Sequence, residues 1–97
     1  MSIKKYTIKS KVWLYSGQAA WHFIGIPKKE SEEIKKAQKV KVGFGSVPVI
    51  VMIGKTRWKT SIFPDKRSGT YLLPIKAEVR KKENIMSEDI VSVTVQI

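Results

Sequence analysis

Cysteine is absent from this 97-residue chain, which excludes disulfides, thiolate metal sites and a cysteine nucleophile. Histidine occurs once, at His22, and no catalytic triad order is legible around it, so a general base finds no support. Acidic residues are scarce, with 8 Asp and Glu against 19 Lys and Arg. The N-terminal stretch MSIKKYTIKSKVWLY contains lysines but no uninterrupted apolar run, so neither a signal peptide nor a membrane span is expected. A reducing, cytoplasmic setting is the expectation. Long polar low-complexity tracts are also missing, and 42% of residues are hydrophobic, as in ordinary globular domains. Residues 1–97 are therefore read as one small domain with a single core. A chain of this size buries only about 60 to 70% of its unfolded surface.

The one compositional extreme is the net charge of +11. A balance this basic attracts nucleic acid, anionic membrane or acidic protein. Residues 1–41 hold ten lysines and three glutamates, and the remainder nine basic and five acidic residues, so the excess is spread through the chain. The alternative is a solvated Lys-rich surface that serves only solubility.

The last third, YLLPIKAEVRKKENIMSEDIVSVTVQI (Tyr71 to Ile97), reads as strand, Pro, basic helix, turn with an acidic pair, strand. FIGIPKKESEEIKK (Phe23 to Lys36) is a weaker copy of its first half. Pro fixes φ and donates no ladder bond, so it ends a strand and is tolerated in a first helical turn. Earlier, Tyr6, Ile8, Ser10, Val12 and Leu14 alternate with Lys5, Thr7, Lys9, Lys11 and Trp13, the period of a half-buried strand. Ser16-Gly17-Gln18 is a turn signal and Trp21 to Ile26 the returning strand. Lys28 to Ala37 is a short helix with its acids ahead of its bases, which suits the dipole. Val40 and Val42 resume the strand pattern. Gly43 and Gly45 predict a bulge or sharp bend, and Pro48 an edge. Val49 to Ile53 is a continuous apolar run expected to be buried on both faces or in a barrel wall. Gly54-Lys55 predicts a tight hairpin turn, with Thr56 to Phe63 pairing back. Pro64 to Gly69 reads as loop, Tyr71 to Leu73 as strand and Ile75 to Glu83 as a second helix. Asn84 is its left-handed terminus, and Ile90 to Ile97 the closing strand. The expected architecture is mainly β: a small closed or partly closed barrel of six to seven strands with two short helices, built from two related halves.

Three blocks, WHFIGIP (Trp21 to Pro27), GFGSVPV (Gly43 to Val49) and WKTSIFPDKRSGTYLLPIKAEVRK (Trp58 to Lys81), resemble a bacterial and archaeal domain-of-unknown-function family of small β-barrels. That family is related to the N-terminal domain of bacteriocin-protection (YdeI-like) proteins. The resemblance implies a fold and a kinship but no activity. Leu73-Pro74, Val79-Arg80, Ile85 and Glu88-Asp89 also resemble, more loosely, the half-barrel of AbrB-type swapped-hairpin regulators. Ile75 and Lys76 are extra to that pattern, and Glu88 stands where Gly is usual. Both halves lie in one chain here, so DNA binding by a swapped dimer does not carry over.

The chemistry legible in the residues is binding rather than catalysis. Gly54-Lys55-Thr56 lacks the upstream Gly of a phosphate loop, since Val49 occupies that place, and Gly43-Phe44-Gly45-Ser46 lacks the spacing of a nucleophile elbow. Asp65, Glu88 and Asp89 belong to turn signals, where acids bond local backbone N–H groups. No cofactor or metal is expected, and no enzymatic activity. Lys55, Arg57 and Lys59 alternate along one strand, as Lys5, Lys9 and Lys11 do along another. If those faces were adjacent, they would form a basic β surface able to track phosphates, extended by Lys66 and Arg67 and by Arg80 to Lys82. Trp13, interleaved with lysines, would serve as a stacking platform. Trp21, Phe23 and Tyr71 are expected in the core, and Arg80 is expected to pair with Asp89. The reading is a binding module for nucleic acid or another acidic polymer, with a protein- or small-ligand-interaction barrel as the alternative.

Overall fold

Lys5–Leu14 forms the first strand, β1, because its β-branched and aromatic residues alternate with lysines that stay wet. The rest of the chain adds β2 (His22–Gly25), α1 (Lys28–Ala37), β3 (Val47–Ile53), β4 (Thr56–Asp65), β5 (Thr70–Pro74), α2 (Ala77–Lys82) and β6 (Ile90–Gln96). The computed structural model describes residues 4–15, 21–37 and 45–97. The expected turn at Ser16-Gly17-Gln18, the strand residues Val40 and Val42 and the bend at Gly43 lie outside these. Among the described residues no helix is long and apolar enough to cross a membrane.

The six strands close into an antiparallel barrel in the order β1-β2-β5-β4-β3-β6. Exchanging β1-β2-α1-β3 for β4-β5-α2-β6 leaves every neighbour relation unchanged, so the two halves are related by a pseudo-two-fold. Backbone bonds show the same exchange. Ile26 N–H donates to Tyr71 C=O at 2.9 Å, and Ile75 N–H donates to His22 C=O at 2.9 Å. Ile75 thus occupies the place of Ile26, and both are buried. This corrects the expected start of the second helix. Ile75 is not helical, Lys76 is extended at φ −68 and ψ 155, and the helix begins at Ala77. Pro74 is the last paired residue of β5, opposite Phe23, whereas Pro27 follows β2 and precedes α1. The two prolines therefore mark the same junction from different positions.

Other boundaries differ for similar reasons. Pro64 and Asp65 continue β4 and pair with Tyr71 and Thr70, because β4 changes partner from β3 to β5 at Phe63. Val49 to Ile53 is not buried on both faces. Val47, Val49, Val51 and Ile53 fill the interior while Met52 is exposed, so this barrel wall has one wet side. Pro48 sits where β3 has a neighbour on one side only, since the β3–β6 ladder covers Ile50 to Met52. Leu14 is exposed, unlike the four alternate residues before it in β1.

The interior is packed with Ile8, Val12, Ile24, Val49, Val51, Ile62, Leu73, Val93 and Val95, and Ile34 of α1 and Val79 of α2 join the same core. Fully burying a side chain of this kind stabilises by about 1.5–3 kcal/mol. Among the described residues one polar side chain is buried with them. Ser31, 3% exposed, donates to Ile26 C=O at 2.9 Å and accepts from Tyr71 N–H at 3.1 Å, tying α1 to β5. The β3–β4 hairpin turns on Gly54 at φ +58, followed by Lys55 at negative φ, the signs of a type II′ turn. The Glu83 carboxylate covers this turn, held by the Thr56 hydroxyl at 2.6 Å, and a Cβ on Gly54 would collide with it. Asn84 takes φ +55 at the end of α2, as its residue type suggests, and Glu88 takes φ +78 where the half-barrel pattern has Gly.

Two outcomes are expected. Ser31→Ala should strand the Tyr71 N–H without a partner and cost about 1–3 kcal/mol, read as a lower urea midpoint at unchanged m. Gly54→Ala should cost about 1–3 kcal/mol through forbidden φ and displacement of Glu83, lowering the thermal midpoint measured by circular dichroism.

Candidate functional site

Strand alternation sends Lys5, Lys9 and Lys11 of β1 and Arg57 and Lys59 of β4 outward, and all five are exposed. Lys55 is exposed too but lies in the hairpin turn, not on the strand. These rows do not share a face. In the six-strand ring β1 and β4 stand opposite one another, separated by β6 and β3 on one side and by β2 and β5 on the other. At about 4.8 Å per strand, three steps of curved wall lie between them in either direction. The adjacency that a single basic β surface required is therefore absent, because partner choice, invisible in the local pattern, puts the two lysine strands back to back. Lys11 also forms an ion pair with Glu88 at 2.7 Å, both side chains being well exposed.

Lys66 and Arg67 lie in the exposed β4–β5 turn. Asp65 organises it. Its carboxylate accepts from Ser68 Oγ at 2.8 Å, Ser68 N–H at 3.3 Å and Arg67 N–H at 3.4 Å. The Ser68 hydroxyl above all, helped against desolvation by these backbone N–H groups and the nearby Arg67 charge, holds the Asp65 carboxyl below its ordinary range. The acid is thus ionised at neutral pH and its hydrogen bonds are taken up inside its own turn.

The aromatics converge on one wall. Trp13 pairs with Phe23 across β1 and β2, with ring centroids 5.1 Å apart. Trp21 stacks on Phe23 at 5.9 Å with planes 10° apart, and Tyr15 meets Phe23 edge-on at 6.3 Å. Trp21 and Phe23 were expected in the core, but Trp21 is 52% exposed and Phe23 points outward, since Ile24 takes the inward position of β2. Tyr71 is buried as expected. Beside these rings the row Gly25, Leu72, Phe63 crosses β2, β5 and β4, with Phe63 46% exposed. The four rings, Phe63 and Leu72 line an open groove of about 570 Å³ with Arg67 and Asp65.

A second depression, of about 380 Å³, opens where α2 meets β4. Lys59, Lys76 and Arg80 line it with His22, Trp58 and Trp21, and no carboxylate is among its lining residues. Arg80 is held there by its Nε, which donates to Ile75 C=O at 3.2 Å. It makes no ion pair with Asp89, whose carboxylate instead accepts from Met86 N–H at 2.8 Å and closes the turn before β6. Trp21 borders both depressions, so the aromatic groove and the cationic pocket share this side chain. Of the residues singled out in the sequence, Lys59 and Trp21 meet at this junction. Trp13 and Arg67 join the groove, while Lys5, Lys9 and Lys55 line neither depression. Phe63 and Lys76 were missed. Their only local signal was a position within two residues of Pro, Phe63 on the outward phase of β4 and Lys76 ahead of α2, and that becomes informative once β2 is known to pair with β5.

Residues 9–95 match the family described as Domain of unknown function (DUF1905). The chain belongs to this family. No match was found among curated proteins. The span shared with DUF1905 includes both depressions and all the residues lining them. Among the described residues of this DUF1905 domain, no group of three or more His, Asp or Glu is placed to hold a metal ion.

The depressed Asp65 pKa has a testable sign. Its contribution to the turn is present above the unfolded carboxylate pKa, near 3.9, and is lost as pH falls through the lower folded value. In an NMR titration the Asp65 carboxyl should therefore show a midpoint below about 3.9, with the Ser68 amide following it. Ser68→Ala should return that midpoint toward the ordinary value.

Proposed function

We propose that this DUF1905 domain is a non-catalytic binding module for an anionic polymer, most simply nucleic acid, held with low sequence specificity. The observation that carries the reading is the pocket formed by Lys59, Lys76 and Arg80, which has no acid in its lining, on a chain of net charge +11. Positive charge without lining carboxylates favours an external anion. The ion pairs among the described residues leave this charge largely in place. Lys76–Glu78 is long at 3.9 Å and exposed, and Lys82–Glu78 and Lys11–Glu88 lie outside the pocket. Exposed pairs of this kind contribute about 0–1 kcal/mol and are screened by salt. Arg67 lines the aromatic groove beside Asp65, with Trp21 common to that groove and the pocket.

A concave pocket also favours a second reading, a barrel that takes one small anionic ligand. The two readings differ in how affinity depends on ligand length. A polymer site gains with each phosphate it neutralises, whereas a pocket for one small anion saturates with a mononucleotide.

Fluorescence anisotropy with labelled oligonucleotides at graded salt tests the proposal. The logarithm of the affinity should fall linearly with log salt, with a slope of about 0.7 per neutralised phosphate on single strands and about 0.9 on duplex. Replacing Lys59 and Lys76 together by Glu should weaken binding at least about tenfold and reduce the slope by about 1.4 on single strands. Lys36→Glu, on α1 and away from the pocket, should change little. Absence of binding at low ionic strength would remove the proposal, and a mononucleotide bound as tightly as the polymer would replace it with the second reading.

A further inference from the structure

Trp21 at 52% exposure, Tyr15 at 53% and Phe63 at 46% form, with Trp13, Phe23 and Leu72, an apolar groove on one outer wall of the barrel. Single exposed hydrophobics are ordinary, but several large rings gathered on one wall mark a surface that something covers. Three features identify the covering chemistry. The surface beside the rings is open at Gly25, which stands in one cross-strand row with Leu72 and Phe63. A Cβ built on Gly25 meets nothing within 4 Å, so the space above it is unfilled. The rings themselves offer faces, since Phe23 and Trp21 already stack in near-parallel planes. The groove's own charges, Arg67 and Asp65, are of opposite sign, and the positive excess lies past Trp21 in the pocket of Lys59, Lys76 and Arg80. The acid, Asp65, directs its carboxylate to Ser68 and to the Arg67 and Ser68 amides.

We infer that this groove is a stacking platform for unpaired bases, so that the domain prefers single-stranded nucleic acid to duplex. The inference rests on the anionic-polymer reading above and deepens it. A nucleotide is the partner that uses both halves of the site, with its base on the rings and its phosphate on the flanking cations. A neutral apolar segment would gain nothing from those cations, and a second copy of the chain would bring +11 against +11. In a duplex the π-faces are already covered by neighbouring bases, leaving only the phosphates to bind. A single strand adds stacking to the same charge contacts.

Binding of oligothymidylate of about 12 nucleotides, within the usual site size for such surfaces, can be compared with duplex of equal length. Anisotropy and intrinsic tryptophan emission serve as the two readouts. The single strand should bind about tenfold more tightly than the duplex and quench tryptophan emission. Phe63→Ala and Tyr15→Ala, both in the groove and outside the cationic pocket, should each weaken the single strand about tenfold while leaving the duplex within about twofold. Both side chains are about half exposed, and thermal melts of each variant establish that it is folded. Lys59→Glu should instead weaken both nucleic acids. Oligouridylate in place of oligothymidylate separates RNA from DNA as the source, and a single-strand preference with either supports the inference. If single strand and duplex bind alike and Phe63→Ala alters neither, the stacking platform is refuted while the charge-based reading stands. Binding of neither at low salt removes both. Concentration-dependent dimerisation that Phe63→Ala abolishes, without any single-strand preference, assigns the groove to a second copy and overturns the inference.

Discussion

Two of the four ladders that join the halves of this barrel, β2 with β5 and β3 with β6, map onto themselves when the halves are exchanged, and the rest of the structure depends on them. Each half alone would leave open strand edges and an apolar face of Val and Ile exposed to water. Pairing the halves removes those edges and buries Ile24 against Leu73 and Val51 against Val95. The reciprocal bonds between Ile26 and Tyr71 and between Ile75 and His22 close the β2–β5 side, and Ser31 carries that closure to α1. Such contacts are distant in sequence, so their loop-closure entropy is lost before burial offsets it.

The same two ladders create the surface chemistry. Because β2 pairs with β5, Phe23 and Gly25 are brought beside Pro74, Leu72 and then Phe63, and a wall of scattered aromatics becomes one groove. Because α2 follows β5 through the extended Ile75-Lys76, Lys76 and Arg80 come to stand next to Lys59 of β4. Closure also places β1 opposite β4, which splits the two lysine-rich strands. A single topological constraint thus removes one candidate surface and builds another.

Much of the fold was legible in the residues. Period-two alternation gave the strands, Pro27 and the acid-before-base order gave α1, and the strand–Pro–helix repeat gave the two halves. Boundaries were less legible wherever a strand has two successive partners. Pro64 reads locally as a loop residue, yet it lies in β4 because β5 takes over pairing at Phe63. Ile75 reads as helical by its neighbours, yet its N–H is bonded to His22 C=O and the helix begins only at Ala77. The basic residues of the site could be named from alternation, but their grouping could not. Alternation says which face of a strand a side chain takes and nothing about which strand lies beside it.

By itself, the sequence determined a cysteine-free, strongly basic, mainly β domain of two related halves, because those properties follow from composition and local periodicity. Tertiary structure alone decided that Trp21 and Phe23 face outward, that Arg80 serves the Ile75 carbonyl rather than Asp89, and that Lys59 belongs with Lys76 rather than with Lys9. The physical reason is common to all three. Each depends on which distant segment supplies the neighbouring strand, and that choice is made by closing the whole barrel around one core.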